Sequence, residues 1–131
     1  MGGDVSGETI PPLVQHISYR NVAMNPGATG DHFPGHYDPS YAQRQGQPTI
    51  YANSLHLFGL LDKALLEWAG PASFLMRRNV RLHSSMYAGD TVTVTGDVTA
   101  RDGDVVHVLL QMTAQDGRII CTAESTVRLA T

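Results

Sequence analysis

At residues 53–68 the chain reads NSLHLFGLLDKALLEW, and this stretch decides the fold. It opens with Asn53 and Ser54, whose side chains can cap a helix N-terminus, and Gly70-Pro71 follows as a stop signal. Its apolar residues cover far more than one stripe: Leu55, Leu57, Phe58, Leu60, Leu61, Leu65 and Leu66. A helix that is apolar around most of its circumference is expected to be buried on most sides. We therefore predict a long helix at the centre of the core.

Downstream of Pro71 the apolar spacing changes from a period of about 3.6 to a period of 2, which is typical of strands. The predicted strands are Phe74–His83, Thr91–Ala100, Val105–Ala114 and Arg118–Leu129. Asp-Gly pairs lie in the two later connections and indicate tight hairpins. An antiparallel sheet that curls around one hydrophobic helix is an α+β architecture, and its exposed edges favour dimerisation.

The chain before the helix is less regular. Leu13–Arg20 is predicted as a strand, and a short helical turn is expected in Asn21–Gly30, ending at Asn25-Pro26-Gly27. From Thr29 to Gln47, residues of Gly, Pro, His, Asp and Tyr crowd together, and we expect this stretch to form a loop without regular elements. Loops of this composition hold functional groups or merely turn corners.

Composition sets the outer limits. A chain of 131 residues is expected to form one domain, with residues 1–11 as a flexible lead-in. The net charge of −3 gives no electrostatic reason to expect nucleic acid as a partner, and no apolar run is long enough for a membrane span. The N-terminus lacks the pattern of a signal peptide, and Cys121 lies in an apolar run that favours a buried, inert thiol. We expect a cytoplasmic protein.

The only dense group of ionisable residues lies in the irregular stretch and consists of Asp31, His32, His36 and Asp38. The spacing Asp-x4-His allows a carboxylate to orient a water or the ring while His36 exchanges a proton. Capping of the loop by Asp31 with a solvated His36 explains the same spacing, and a metal site without regular zinc spacing is a further alternative. No nucleophilic serine or cysteine accompanies the group, so water activation fits better than covalent catalysis.

A resemblance to a known family rests on this group. The stretch Gly30–Pro39, GDHFPGHYDP, together with Ala42, resembles the hydratase signature of the MaoC-like family. Pro48 ahead of the long helix and the Gly-Asp turn in Ala88–Val92 are similar to the same family's pattern. The similarity runs from about residue 12 to residue 129 and so covers nearly the whole chain.

The resemblance implies a hotdog fold, in which a long central helix is wrapped by a curled antiparallel sheet. It also implies hydration of a trans-2-enoyl thioester to an (R)-3-hydroxyacyl thioester, or the reverse dehydration, without a cofactor or a metal. Asp31 and His36 would then bind and activate the water that adds at C3 and return a proton at C2.

The resemblance further assigns substrate contacts. Backbone N–H groups near Ala52 and Asn53 would hold the thioester oxygen, with Gly35 and Tyr51 as adjacent contacts. Many family members have Asn at the position of Phe33 and His-Gly at the positions of Tyr51 and Ala52, so this chain departs from the pattern there. Tyr51 either lines an acyl pocket or packs the loop.

A narrower similarity points to a substrate and a partner. The run Ile50–Asn53, with Gly59-Leu60 and Trp68–Pro71, resembles the small MaoC-like subunits of actinobacterial steroid side-chain enoyl-CoA hydratases. This implies a bulky acyl-CoA thioester and a second hotdog domain as partner, with a homodimer as the alternative. Other functions that stay open are a non-catalytic hotdog subunit that scaffolds a partner, an acyl-carrier-protein dehydratase subunit and a thioesterase.

Four further residues have two interpretations each. Arg77 and Arg81 share one face of the predicted strand while Arg78 takes the other. They either meet the phosphates of CoA, or an acidic carrier protein, or form a solvated sheet face. His56, among the leucines of the helix, is predicted to be a hydrogen-bonded core or interface histidine, with a substrate contact as the alternative.

Overall fold

The structure, a computed structural model, describes residues 8–29 and 34–130. The strands are β1 (Thr9–His16), β2 (Phe74–Leu82), β3 (Thr91–Asp102), β4 (Val105–Ala114) and β5 (Ile119–Arg128). The helices are α1 (Tyr19–Thr29), α2 (Pro39–Arg44) and α3 (Ser54–Ala69), with a 3-10 turn at Pro34–His36. In the described ranges, no helix combines the length and apolar character that a membrane crossing needs.

The strands form one antiparallel sheet in the order β1-β3-β4-β5-β2, so β1 and β2 are its edges. Two tight hairpins join β3 to β4 and β4 to β5, and Gly103 and Gly117 in their turns have φ of 62° and 84°. Such left-handed backbone is what an Asp-Gly turn supplies at low steric cost. The predicted meander, α+β class and hotdog architecture of a sheet around a long helix are confirmed.

Helix α3 begins where its capping residue predicts. The Asn53 side chain accepts a hydrogen bond from the His56 N–H at 3.0 Å, and Gly70 ends the helix at a φ of 96°. The buried residues of α3 lie on one broad face and are Leu57, Leu60, Leu61, Ala64 and Leu65. Leu55 is 55% exposed, so the prediction that the helix is buried on most sides is wrong at its first turn.

One row of inner-face residues shows how the sheet receives the helix. In register across the strands lie Ile10, Gly96, Leu110, Ala123 and Val80. Ile10, Leu110 and Ala123 belong to the same buried cluster as the leucines of α3. Large and small side chains alternate in this row, which lets neighbouring side chains interlock without voids. A Cβ at Gly96 would lie 2.8 Å from side-chain carbons of Ile10 and Leu110, so the row has no spare space there.

Three predictions for the first half of the chain are wrong. The first strand was predicted at Leu13–Arg20 but begins at Thr9, inside the expected lead-in, because edge strand β1 tolerates prolines at its register shift between Ile10 and Leu13. Helix α1 continues through Asn25-Pro26-Gly27 to Thr29. Helix α2 forms in the stretch predicted to lack regular elements.

The reason for α2 is local. The Asp38 carboxylate accepts hydrogen bonds from the N–H groups of Ser40 and Tyr41 at 3.0 and 3.3 Å. Pro39 occupies the first helical position, where its missing N–H has no intrahelical partner to lose. The Gly and Pro residues between Thr29 and Gln47 predict a loop, but an Asp-Pro pair can also begin a helix.

Candidate active site

His36 lies at the end of the 3-10 turn and is only 7% exposed. Its Nδ1 is 2.7 Å from the backbone oxygen of Tyr51, and the two rings meet edge-on with centroids 5.1 Å apart. A carbonyl oxygen only accepts, so Nδ1 must carry the proton in this bond. In the neutral ring, Nε2 is then the basic nitrogen. The Tyr51 carbonyl therefore selects one tautomer of His36.

The chain around Tyr51 is held on both sides by backbone hydrogen bonds. The Tyr51 N–H donates to the Gly35 carbonyl at 3.2 Å, which joins this segment to the turn that carries His36. The Ala52 N–H donates to the Met86 carbonyl at 2.8 Å. This bond occupies the donor that the resemblance assigned to the thioester oxygen, so the structure does not support that role for Ala52.

The first turn of α3 offers other donors. The Asn53 side chain binds the His56 N–H, and the Asn53 carbonyl accepts from Leu57 at 3.4 Å. In the part of the chain that the structure describes, the N–H groups of Ser54 and Leu55 have no acceptor within the protein. Donors in this position add to the positive end of the helix dipole.

These groups border one cleft of about 530 Å³. One wall comes from the turn and the start of α3: His36, Tyr51, Ala52, Asn53, Ser54 and Leu57. The other wall comes from the end of β2 and the segment after it: Leu82, His83, Ser84, Ser85 and Tyr87, with Gln47 between the two walls. A buried imidazole of fixed tautomer thus shares a cleft with helix N-terminal donors.

An ion pair that sequence reasoning missed supports the second wall. Asp90 is buried, and its carboxylate accepts from the Tyr87 N–H at 2.9 Å and from the Arg118 guanidinium at 2.8 Å. The same guanidinium lies 5.1 Å from the centre of the Tyr87 ring and donates to the Ser85 carbonyl at 3.4 Å. The Gly-Asp turn was visible in the sequence, but nothing local marked Arg118 as its partner.

The other predicted site residues divide into three groups. Asp31 and His32 lie outside the described residues. Asp38 caps α2 and accepts from two backbone N–H groups there. Cys121 is buried, as predicted, and burial raises the pKa of its thiol to about 11.

His56 departs from its prediction. Burial lowers the pKa of its ring, and its Nδ1 has no hydrogen-bond partner among the described residues. The ring is partly buried, and the hydrogen bond predicted for a core or interface histidine is not found at this nitrogen among the described residues.

The three arginines of β2 separate as predicted. Arg78 faces α3, where it forms an ion pair with Asp62 and lies 4.7 Å from the centre of the Phe58 ring. Arg77 and Arg81 lie opposite Thr126 and Thr122 on the outer face of the sheet.

Two further cavities continue from the cleft along this outer face. One of about 530 Å³ shares His83 with the cleft and includes Asn79 and Arg81. The next, of about 590 Å³, shares Asn79, Leu109 and Glu124 with it and includes Arg77. A row of neighbouring hollows that share lining residues, termed here the outer track, therefore follows β2 from the cleft.

Comparison with known proteins gives a family match, a related sequence and similar solved structures. Residues 11–117 match the MaoC-like domain family. The chain is 30% identical over 125 residues to the 3-oxo-4,17-pregnadiene-20-carboxyl-CoA hydratase beta subunit of Mycobacterium tuberculosis (strain ATCC 25618 / H37Rv), covering 95% of this chain and 97% of the relative.

Solved structures of other proteins are also similar to this chain. A chain of the ChsH1–ChsH2 complex from Mycobacterium tuberculosis is similar with a TM-score of 0.91 and 29% identity, over 98% of this chain and 100% of that chain. The (R)-hydratase from A. caviae involved in PHA biosynthesis has a TM-score of 0.87 and 22% identity, over 95% and 96% of the two chains, which shows the fold.

Proposed function

The chain belongs to the MaoC-like family, and on that premise we propose that it hydrates a trans-2-enoyl-CoA to the (R)-3-hydroxyacyl-CoA, or catalyses the reverse dehydration. The observation that carries the proposal is the setting of His36. Its ring is buried, its Nδ1 is held by the Tyr51 carbonyl, and it borders the same cleft as the N-terminus of α3.

In the proposed reaction, Asp31 and His36 bind one water between them. As the water oxygen forms its bond to C3, the pair takes up a proton and the C2–C3 π electrons move towards the thioester carbonyl. The resulting enolate then collects a proton at C2 from the same pair, so a molecule of water is added overall. The tautomer selected by Tyr51 supports this role, because it leaves the lone pair on Nε2 to accept the proton.

The enolate needs hydrogen-bond donors at its oxygen. We assign this role to the Ser54 N–H, with that of Leu55 beside it, since they lie in the first turn of α3 and Ser54 borders the cleft. Donors fixed before the reaction stabilise charge that develops in the transition state. Asn53, Tyr51 and Gly35 shape this wall, whereas Ala52 is engaged with Met86.

The proposed acyl group is bulky and of steroid type, and the proposed carrier is CoA. The 30% identity to a pregnadiene-carboxyl-CoA hydratase subunit supports the first part. The outer track supports the second, because the six residue steps from Arg77 to His83 span about 20 Å in extended chain, which is comparable to an extended phosphopantetheine arm. Arg77 and Arg81 would meet phosphates along it, although Glu124 adds one negative charge between them.

A second hotdog domain is the proposed partner. Strand β2 is a sheet edge, and it carries exposed apolar side chains at Phe74 (65% exposed), Met76 and Leu82 (52% exposed). Unpaired edges of this kind invite pairing with another chain. The similar chain of known structure belongs to a two-component complex, which favours a hetero-partner over a second copy of this chain.

The test follows the loss of the conjugated enoyl-thioester absorbance. Wild type, Asp31→Asn and His36→Gln are each given a linear and a steroid-type enoyl-CoA, alone and with a candidate hotdog partner. We expect wild-type turnover and a loss of about 100-fold or more in each variant, the range for removing a general acid–base group.

Turnover that survives in both variants would refute the assignment of the pair. Absence of turnover in every arm would favour a non-catalytic subunit that scaffolds a partner. A linear enoyl-acyl-carrier-protein thioester is tested beside the CoA substrates, and turnover of that thioester alone would overturn the choice of CoA.

A further inference from the structure

The second wall of the cleft is joined to the first by a short backbone ladder. The Ala52 N–H donates to the Met86 carbonyl at 2.8 Å, and the Ala88 N–H donates to the Ile50 carbonyl at 3.1 Å. Tyr51 and Tyr87 face each other between these bonds as an antiparallel bridge. The position of the Tyr51 carbonyl, which holds His36, therefore depends on where residues 86–88 lie.

Residues 86–88 are in turn fixed by one guanidinium. Arg118 binds the buried Asp90 carboxylate at 2.8 Å, donates to the Ser85 carbonyl at 3.4 Å and lies over the Tyr87 ring. Asp90 also accepts from the Tyr87 N–H, and the Tyr87 hydroxyl donates to Gln47 across the cleft. From outside the cleft, Arg118 thus contacts Ser85 and Asp90, which flank residues 86–88, and the ring of Tyr87 between them.

Only an arginine can make this set of contacts at once. Its planar fork serves two acceptors in fixed directions while its face covers a ring, and a lysine ammonium offers a single point charge. Arg118 supplies the charge that offsets the cost of burying the Asp90 carboxylate, which also accepts hydrogen bonds from the Tyr87 N–H and from Gln115 Nε2 at 3.2 Å.

We propose that Arg118 is a positioning residue for His36. Through Asp90 and Tyr87, Arg118 fixes the position of residues 86–88. The backbone ladder passes this position on to the Tyr51 carbonyl, and that carbonyl holds the Nδ1–H of His36. The inference rests on the proposed function, in which His36 handles the proton. Arg118 itself does not line the cleft and contacts no reacting atom.

The kinetic test compares Arg118→Gln and Arg118→Lys with Asp116→Asn. Asp116 binds the same guanidinium at 3.2 Å, but it is 55% exposed and has no contact with the cleft wall, so it is a matched control. A displaced catalytic group lowers the rate without removing substrate contacts. We expect kcat to fall about 10-fold or more in Arg118→Gln, with KM within about twofold, partial recovery in Arg118→Lys and wild-type kinetics in Asp116→Asn.

A spectroscopic test does not depend on activity. The Nδ1–H of the buried His36 ring, held at 2.7 Å by the Tyr51 carbonyl, should give a slowly exchanging ¹⁵N–¹H signal, assigned by its loss in His36→Gln. We expect this signal to shift or broaden in Arg118→Gln and to stay unchanged in Asp116→Asn. Thermal unfolding of each variant establishes that the chain is folded at the temperature of measurement; if Arg118→Gln is not, Arg118→Lys takes its place.

The outcomes separate this inference from the proposed function. A changed signal with lower kcat supports both. A changed signal with unchanged kcat supports the positioning of His36 but overturns its catalytic role. An unchanged signal, whatever the kinetics, overturns the inference.

Discussion

The glycine in the middle of β3 provides a direct test of how the sheet is packed beneath the helix. In Gly96→Ala, the added Cβ would lie 2.8 Å from Cγ1 and Cδ1 of Ile10 and 2.8 Å from Cδ2 of Leu110. Comfortable carbon contacts begin at about 3.5 Å, so the neighbours must move. Both lie in the next strands of the same row, where the sheet register limits their movement.

The expected magnitude comes from two opposing effects. Inserting a methyl group into a packed core costs about 1–3 kcal/mol. Replacing a glycine inside a strand returns about 0.5–1 kcal/mol, because the unfolded chain loses less freedom on folding. The net loss in the free energy of unfolding should be about 0–2.5 kcal/mol, with a central value of about 1 kcal/mol that lowers Tm by about 4 °C for a chain of this size.

The assay is urea unfolding followed by circular dichroism, with Gly59→Ala as the matched control. Gly59 lies on the exposed side of α3, and a Cβ there has nothing within 4 Å. That variant should be more stable by about 0.5–1 kcal/mol, because alanine favours a helix. If Gly96→Ala is more stable than the wild type, the row has room for the methyl group and the argument from its packing is wrong.

Three further predictions concern buried or charged groups outside the catalytic pair. Ser125→Ala should stabilise the fold by about 1 kcal/mol in urea unfolding, because its buried Oγ has no hydrogen-bond partner among the described residues; a loss of stability would reveal a bond to that hydroxyl. Burial lowers the pKa of His56 from 6.5, so the unfolded chain binds its proton first and stability is lost as pH falls below about 6.5. His56→Gln should therefore flatten the decline in unfolding free energy between about pH 7.5 and 5, and an unchanged slope would refute this. If the outer track binds CoA phosphates, Arg81→Gln should raise KM for an enoyl-CoA several-fold and Glu124→Gln should lower it, with no change for the pantetheine thioester that lacks the nucleotide; equal effects on both thioesters would exclude the track.

The later strands were predictable because two independent local signals coincide there. Val105–Ala114 was predicted and found with identical bounds, since its alternation is regular and Asp-Gly turns lie on both sides. The Asn53 cap placed the start of α3 in the same way. Where pattern, cap and turn agree, tertiary packing has little left to override.

The first half of the chain was less predictable because its signals conflict. Pro11 and Pro12 argue against a strand, but β1 is an edge and its register shift accommodates them. Ser18 accepts from the Asn21 N–H and so begins α1 where a strand had been extended to Arg20. These outcomes depend on which strand lies next to which, and that information is not local.

The two walls of the cleft also differ in how far they can be predicted from local sequence. The residues of the first wall come from one short part of the sequence, between His36 and Leu57, which overlaps the stretch that resembles the hydratase signature. The second wall, from Leu82 to Tyr87, is supported by Asp90 and by the distant Arg118. A contact between residues so far apart leaves no spacing to recognise.

Because the proposed chemistry lies on the first wall, the second wall is where acyl preference can change while the reaction is kept. Substitutions of Leu82 or Ser84, which border the cleft on its second wall, should alter the ratio of kcat/KM between a linear and a steroid-type enoyl-CoA by about 10-fold. The same substitutions should leave kcat on the preferred substrate within about threefold, since no group that stabilises charge is removed. Equal losses on both substrates would mean that the second wall serves the reaction itself, and the division between the walls would then be wrong.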